Sequence, residues 1–227
     1  MILAKYKKMD RILRLRLWVG SAVVLVILSA MWFAGIFSEP NNYDPIEPID
    51  SNQVSQYLSN RLVPELHNKS QYGRPFDYVI TQQGIVDIIA RHADFARIAN
   101  AGFESISVAF EKGAIFVTAK TERFGMDFFV TLSLKPVIDS DGMFLVKSQS
   151  VDVGSSSVPF AAMAVRKQLL DNLSSFVDHE KAAETVGAVI AKKAIEPIVK
   201  VNGRRIRIEK ITIADKKITI RFAPINP

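Results

Sequence analysis

Alternating apolar and polar side chains dominate the middle of the chain. Apolar residues recur at every second position through 105–111, 114–121 and 126–135. This period predicts antiparallel strands with one buried and one wet face. Turn sequences at Glu111-Lys112-Gly113 and Asp139-Ser140-Asp141-Gly142 separate the runs, so we expect a meander that continues to about residue 153.

Other segments follow the helical period. A helix is expected from about 53 with its end disturbed at Pro64, and a second helix over 81–93 with Thr81 as its N-cap. Residues 76–80 predict a short strand between them. Two further helical runs cover about 160–176 and 179–194, and a closing hairpin turns at Asp215-Lys216. The order predicts an α+β domain in which long α-helices cover the apolar face of the sheet.

The N-terminal region predicts a membrane anchor. The stretch 17–37 holds 21 residues without a charge, enough as a helix to cross roughly 30 Å of hydrocarbon. Residues 1–16 carry six bases and one acid, so the positive-inside rule predicts a cytoplasmic tail. A retained signal-anchor is favoured over a cleaved signal peptide, because the run is long and its far end is bulky.

This topology predicts a single-pass cell-membrane protein with one integral span. Residues 38–52 hold three prolines and several acids, which favours a semi-stiff linker. Residues 53–227 then form the extracytoplasmic α+β domain. The formal net charge of +6 sits largely in the basic tail, so the charge reflects topology and predicts no nucleic-acid partner.

No catalytic or metal-binding motif is visible in the chain. There is no cysteine, and none of the three histidines stands three or four residues from another. Nucleophile-elbow, phosphate-loop and dinucleotide patterns are missing as well. We therefore expect a non-enzymatic protein without a catalytic residue, a metal or a cofactor.

A basic face is predicted in the closing hairpin. From residue 192 onward there are ten bases and three acids, and several of the cations alternate with isoleucines. One interpretation is a solvated face that discourages aggregation between strands. The other is a surface for anionic lipid headgroups or an acidic partner. The cations of the predicted face are Arg205, Arg207, Lys217 and Arg221.

The order of motifs resembles a family of small bacterial envelope proteins. The stretch Ile80-Thr81-Gln82-Gln83 begins a helix, a strand ends in Val151-Asp152-Val153-Gly154, and Val158-Pro159 precedes the long helical runs. This resembles the membrane-anchored domains of the YpmS/LmeA type, which are related to tubular lipid-binding (TULIP-like) proteins. The resemblance covers about 54–222. It implies a curled antiparallel β-sheet packed against long α-helices, with an apolar groove for acyl chains and no catalytic residues.

Two functions follow from these features. The first is a lipid- or amphiphile-binding module of the bacterial cell envelope, with phospholipid as a candidate ligand. The alternative is an envelope scaffold domain with a closed core that binds a protein partner. The same apolar residues could line a groove or fill a core. The lipid-groove candidates are Phe128, Val130, Leu132, Leu134, Phe160, Met163, Leu170 and Leu173.

Overall fold

Two antiparallel sheets form the framework of the protein in a computed structural model. The structure describes residues 21, 23–49, 53–111, 113–157 and 194–225. The described helices are α1 (23–36), a π-helical turn at Leu58–Leu62, α2 (Val63–Gln71), α3 (Gln82–His92) and α4 (Phe95–Asn100). The strands are β1 (Phe76–Thr81), β2 (Ser105–Glu111), β3 (Ala114–Arg123), β4 (Met126–Ile138), β5 (Phe144–Val153), β6 (Ser156–Ser157), β7 (Ile198–Val201), β8 (Arg204–Ala214) and β9 (Lys217–Pro224).

The predicted meander forms the five-stranded sheet, in the order β2-β3-β4-β5-β6. The closing hairpin β8-β9 joins β7 and β1 in a separate four-stranded sheet, in the order β1-β9-β8-β7. Alternating isoleucines on the hairpin pair with the distant strand β1, for example Ile218 opposite Ile80. The prediction of a single curled sheet is therefore wrong, since the strands divide between two sheets. The two predicted long helices lie outside the described residues.

The main core lies where the apolar faces of the two sheets and α3 meet. Its buried members come from four places in the chain, and partly buried isoleucines of β3, β8 and β9 pack around them. A second cluster fills the space between the four-stranded sheet and the segment 57–66. The buried members of the main core are Ile46, Ala90, Val108, Phe110 and Ile218.

The second face of the five-stranded sheet is covered, although its polar side chains predicted a wet face. Thr118 and Thr131 are buried and share a hydrogen bond of 2.9 Å. The segment 40–46 crosses this sheet, since the Tyr43 ring lies 4.9 Å from the Phe129 ring and the Asp44 amide donates to Ser107 Oγ at 3.1 Å. The structure thus places part of the predicted linker against the domain, with Ile46 in the core.

The predicted membrane span needs correction. Within the described part of the chain, no helix combines the length and apolar character needed to cross a membrane. This contradicts the transmembrane helix at 17–37, together with the signal-anchor, the single-pass localisation and the integral membrane partner deduced from it.

Local signals that act through capping and turns are confirmed. Thr81 Oγ1 accepts a hydrogen bond from the Gly84 amide and caps α3 as expected. Pro64, however, does not end the preceding helix. It stands at the first positions of α2, where the missing amide hydrogen is tolerated, and the π-helical turn leads directly into it.

Candidate functional site

One face of β4 carries a continuous row of apolar side chains. Alternation along the strand places these residues on the same face, and the four after Met126 are half-buried. Small or branched residues stand beside the row, with Ala119 and Val153 opposite Val130. We call this row the β4 track, and it consists of Met126, Phe128, Val130, Leu132 and Leu134.

The β4 track opens to solvent at the tip of the β3–β4 hairpin. Met126 is 44% exposed and Phe124, in the turn itself, is 96% exposed. The ring of Phe37 lies 5.2 Å from the ring of Phe128, and Phe37 is 39% exposed. Apolar surface therefore continues from the hairpin tip onto the half-buried part of the strand.

The length of the track suits an extended hydrocarbon chain. Eight residue steps separate Met126 from Leu134, which corresponds to about 27 Å of strand. One acyl chain fills half of a hydrocarbon core of about 30 Å, or about 15 Å. The two core clusters formed by described residues contain none of the four half-buried track residues.

Four of the eight predicted groove residues belong to the track, namely Phe128, Val130, Leu132 and Leu134. The other four lie outside the described residues, and they are Phe160, Met163, Leu170 and Leu173.

The outward face of the four-stranded sheet is strongly cationic. Cross-strand pairing brings six exposed bases and two exposed acids onto this face. Arg221 pairs with Asp77 at 3.5 Å and with Glu209 at 3.6 Å. The other five bases make no ion pair within the described chain. We call this surface the basic sheet face, and its cations are Lys200, Arg205, Arg207, Lys210, Lys217 and Arg221.

Two pairs of like charges face each other directly across this sheet. Lys200 stands opposite Arg205, and Lys210 stands opposite Arg221. Like charges in directly opposed positions destabilise a sheet by a few tenths of a kcal/mol to about 1 kcal/mol per pair. The four cations predicted from the sequence all lie on this face, and Lys200 and Lys210 extend it.

Sequence reasoning did not predict the cleft between the segment 56–61 and α3, although several polar residues line it. It has a volume of about 440 Å³. On α3 its polar lining repeats every four residues, which places Gln83, Asp87 and Arg91 on one helix face. This four-residue spacing was the signal in the sequence that could have revealed the cleft. The remaining lining residues are Gln56, Tyr57, Arg61, Thr81 and Gly84.

Asp87 is the organising carboxylate of the cleft. Ser55 Oγ donates to Asp87 Oδ2, and Arg91 Nε donates to Asp87 Oδ1 at 2.9 Å. The Ser55 hydrogen bond, followed by that from Arg91, lowers the pKa of Asp87 below its ordinary value. Asp87 is therefore ionised at neutral pH and holds the guanidinium of Arg91 in place.

Comparison of the chain with known families, with characterised proteins and with solved structures gives no match. The resemblance to the YpmS/LmeA type therefore stays a prediction. Within the described residues, no group of three or more histidine and acidic side chains is arranged to hold a metal ion.

Proposed function

We propose that this protein is a non-enzymatic amphiphile-binding domain that holds an apolar chain along the β4 track. The observation that carries the proposal is the row of half-buried apolar side chains, which reaches solvent at the exposed residues Met126 and Phe124. Most ligand pockets are lined by apolar side chains. An acyl chain on this row would bury further apolar surface of side chains that are only half-buried.

The energetics allow useful affinity. Burial of each methylene contributes about 0.8 kcal/mol, so ten buried methylenes would contribute about 8 kcal/mol. Ordering of the flexible chain and loss of its free motion cost several kcal/mol of this sum. The remainder of about 4 kcal/mol corresponds to a Kd of about 1 mM before any headgroup contact is added.

Native mass spectrometry of the full chain, followed by solvent extraction, tests whether an amphiphile co-purifies. A fluorescent long-chain fatty acid then measures binding to the full chain and to Leu132→Asn. The matched control is Leu145→Asn, since Leu145 is also half-buried in the five-stranded sheet but faces away from the track.

We expect binding to the wild type and to Leu145→Asn, and a loss of binding in Leu132→Asn. Circular dichroism establishes that both variants remain folded. The proposal is rejected if the wild type carries no amphiphile and takes up no fatty acid. Equal losses in two folded variants would also reject the track as the binding surface.

A second candidate function is docking of an acidic protein partner on the basic sheet face. Two opposed like-charge pairs, Lys200 with Arg205 and Lys210 with Arg221, support it. A face that served solubility alone would gain stability if those charges alternated in sign. Complementary charge on a partner would relieve the repulsion and speed association.

A polyglutamate peptide serves as the probe for this surface. Arg205→Glu is expected to weaken binding and to reduce its salt dependence, because fewer charge contacts remain. Lys147→Glu is the control, since Lys147 is an exposed cation on β5 of the other sheet. Equal effects of the two variants would show that total charge, not the basic sheet face, governs binding.

A further inference from the structure

The α3 cleft, meaning the cleft between the segment 56–61 and α3, has an unusual wall. The π-helical turn Leu58–Leu62 places Tyr57 on one side of the cleft and Arg61 within the turn. Single π-helical turns inside α-helices occur frequently at functional sites, because they reorient side chains at a cost in helix stability.

The tyrosine ring is held against a glycine. A Cβ built on Gly84 would lie 2.0 Å from Tyr57 Cε1, so only glycine lets the ring approach α3 this closely. Tyr57 Oη also accepts a hydrogen bond from the Thr81 amide at 2.9 Å. Both contacts fix the ring as a wall of the cleft.

Arg61 presents a cation that has no ionic partner among the described residues. Its guanidinium carbon lies 5.7 Å from the centre of the Tyr57 ring, and it makes no hydrogen bond or ion pair with a described residue. Arg91, by contrast, is bound to Asp87. The cleft thus contains two guanidinium groups and one carboxylate whose two oxygens already have partners.

We propose that the α3 cleft binds a small organic anion bearing a carboxylate or phosphate group, with Arg61 as the principal recognition residue. The planar guanidinium matches either group with two parallel hydrogen bonds. The amides of Gln56 and Gln83 add polar contacts at the cleft wall. A volume of about 440 Å³ lies within the range of small-molecule sites.

This site is independent of the β4 track, so failure of one proposal leaves the other intact. The probes are inorganic phosphate and citrate, titrated into the full chain by isothermal calorimetry at constant ionic strength. Arg61→Gln should weaken binding about tenfold, the effect of losing a charge-assisted pair. Gly84→Ala should also weaken it, because the added methyl group displaces the Tyr57 ring.

Arg74→Gln is the matched control. The guanidinium carbon of Arg74 lies 5.6 Å from the centre of the Tyr72 ring, so it repeats the stacked arrangement outside the cleft. We expect its affinity to stay within about twofold of wild type. Binding of phosphate alone or citrate alone would support the site and identify the anion class. Absence of saturable binding for both probes, or equal losses in Arg61→Gln and Arg74→Gln, would overturn the proposal.

Discussion

The turn between β3 and β4 contains a large aromatic residue in a backbone conformation that disfavours it. Phe124 has a φ of 56° and Gly125 a φ of 72°, and the two residues connect Arg123 to its cross-strand partner Met126. A two-residue loop with both φ values positive is a type I′ turn, for which Asn-Gly is the favoured sequence. The protein uses Asn202-Gly203 for this purpose between β7 and β8.

Replacement of Phe124 by asparagine should stabilise the fold. The left-handed conformation costs an ordinary residue about 1–2 kcal/mol, and asparagine adopts it more readily. The ring is 96% exposed, so its removal forfeits almost no burial. We expect a gain of about 1 kcal/mol, which raises Tm by about 2–4 °C in a chain of this size.

Thermal and urea unfolding of the full chain, followed by circular dichroism, measure this gain. Asn202→Phe is the reverse control and should lose at least as much stability, because it also removes the contact between Asn202 and His67. A lower Tm for Phe124→Asn would refute the reasoning, since it would show that the phenyl ring packs against the folded protein. An unchanged Tm would show that the turn carries no backbone strain.

The same variant also tests the function. If Phe124 forms the entrance of the β4 track, Phe124→Asn should bind the fluorescent fatty acid more weakly while it unfolds at a higher temperature. Opposite effects on stability and binding are typical of residues kept for function. A variant that gained stability and kept full binding would remove Phe124 from the proposed entrance.

Three further predictions concern titration and packing. Ser55→Ala should raise the pKa of Asp87, because it removes the hydrogen bond that lowers this pKa most. The lowered pKa contributes stability that is present above the pKa of Asp in the unfolded chain and is lost as the pH falls through the pKa of Asp87 in the folded protein. Urea unfolding should therefore depend less on acid pH in the variant than in wild type. Burial raises the pKa of Tyr78 to about 12. The neutral phenol therefore contributes stability that is complete below about pH 10 and is lost towards pH 12. Absorbance titration of wild type, compared with Tyr78→Phe, should show one phenol that ionises late. Ile46→Ala should cost about 2–4 kcal/mol in urea unfolding, because Ile46 is 3% exposed; a cost below 1 kcal/mol would show that the segment is not part of the core.

Strand positions could be predicted from the sequence, but their distribution between sheets could not. Alternation located β2 to β5 and the closing hairpin correctly. The alternation shows which side of a strand is apolar, but it does not show which other strands pair with that strand. The pairing of β9 with β1, for instance Phe222 opposite Phe76, joins segments that lie far apart in the chain, and this pairing creates the second sheet.

The same limit explains the covered polar face. Hydroxyl side chains such as Thr118 and Thr131 predict exposure, yet they satisfy each other by a hydrogen bond and therefore tolerate burial. The segment that crosses their sheet belongs to the stretch 38–52, whose prolines and acids predicted a spacer. The residues that hold it on the sheet, Tyr43 and Ile46, are too few to form a periodic pattern in the sequence.

The candidate site divides in the same way. The β4 track and the cations of the basic sheet face lie on regular strands, so the alternation of side chains along a strand places each set on one face. The α3 cleft depends on a glycine under a tyrosine and on a π-helical turn. Such features arise from contact between two segments, here Tyr57 with Gly84, and a single-segment pattern cannot represent them.

The two candidate functions predict different effects of salt on the Tm shift that a ligand causes, and this difference separates them. The β4 track requires apolar surface that is left half-buried without a ligand, so a bound amphiphile should raise Tm by mass action. The basic sheet face requires repulsion between opposed cations, so an acidic partner should raise Tm by an amount that falls with added salt. Hydrocarbon burial responds to salt weakly and in the opposite direction for strongly salting-out ions. The salt dependence of a ligand-induced Tm shift therefore distinguishes a ligand on the β4 track from an acidic partner on the basic sheet face, even before any residue is changed.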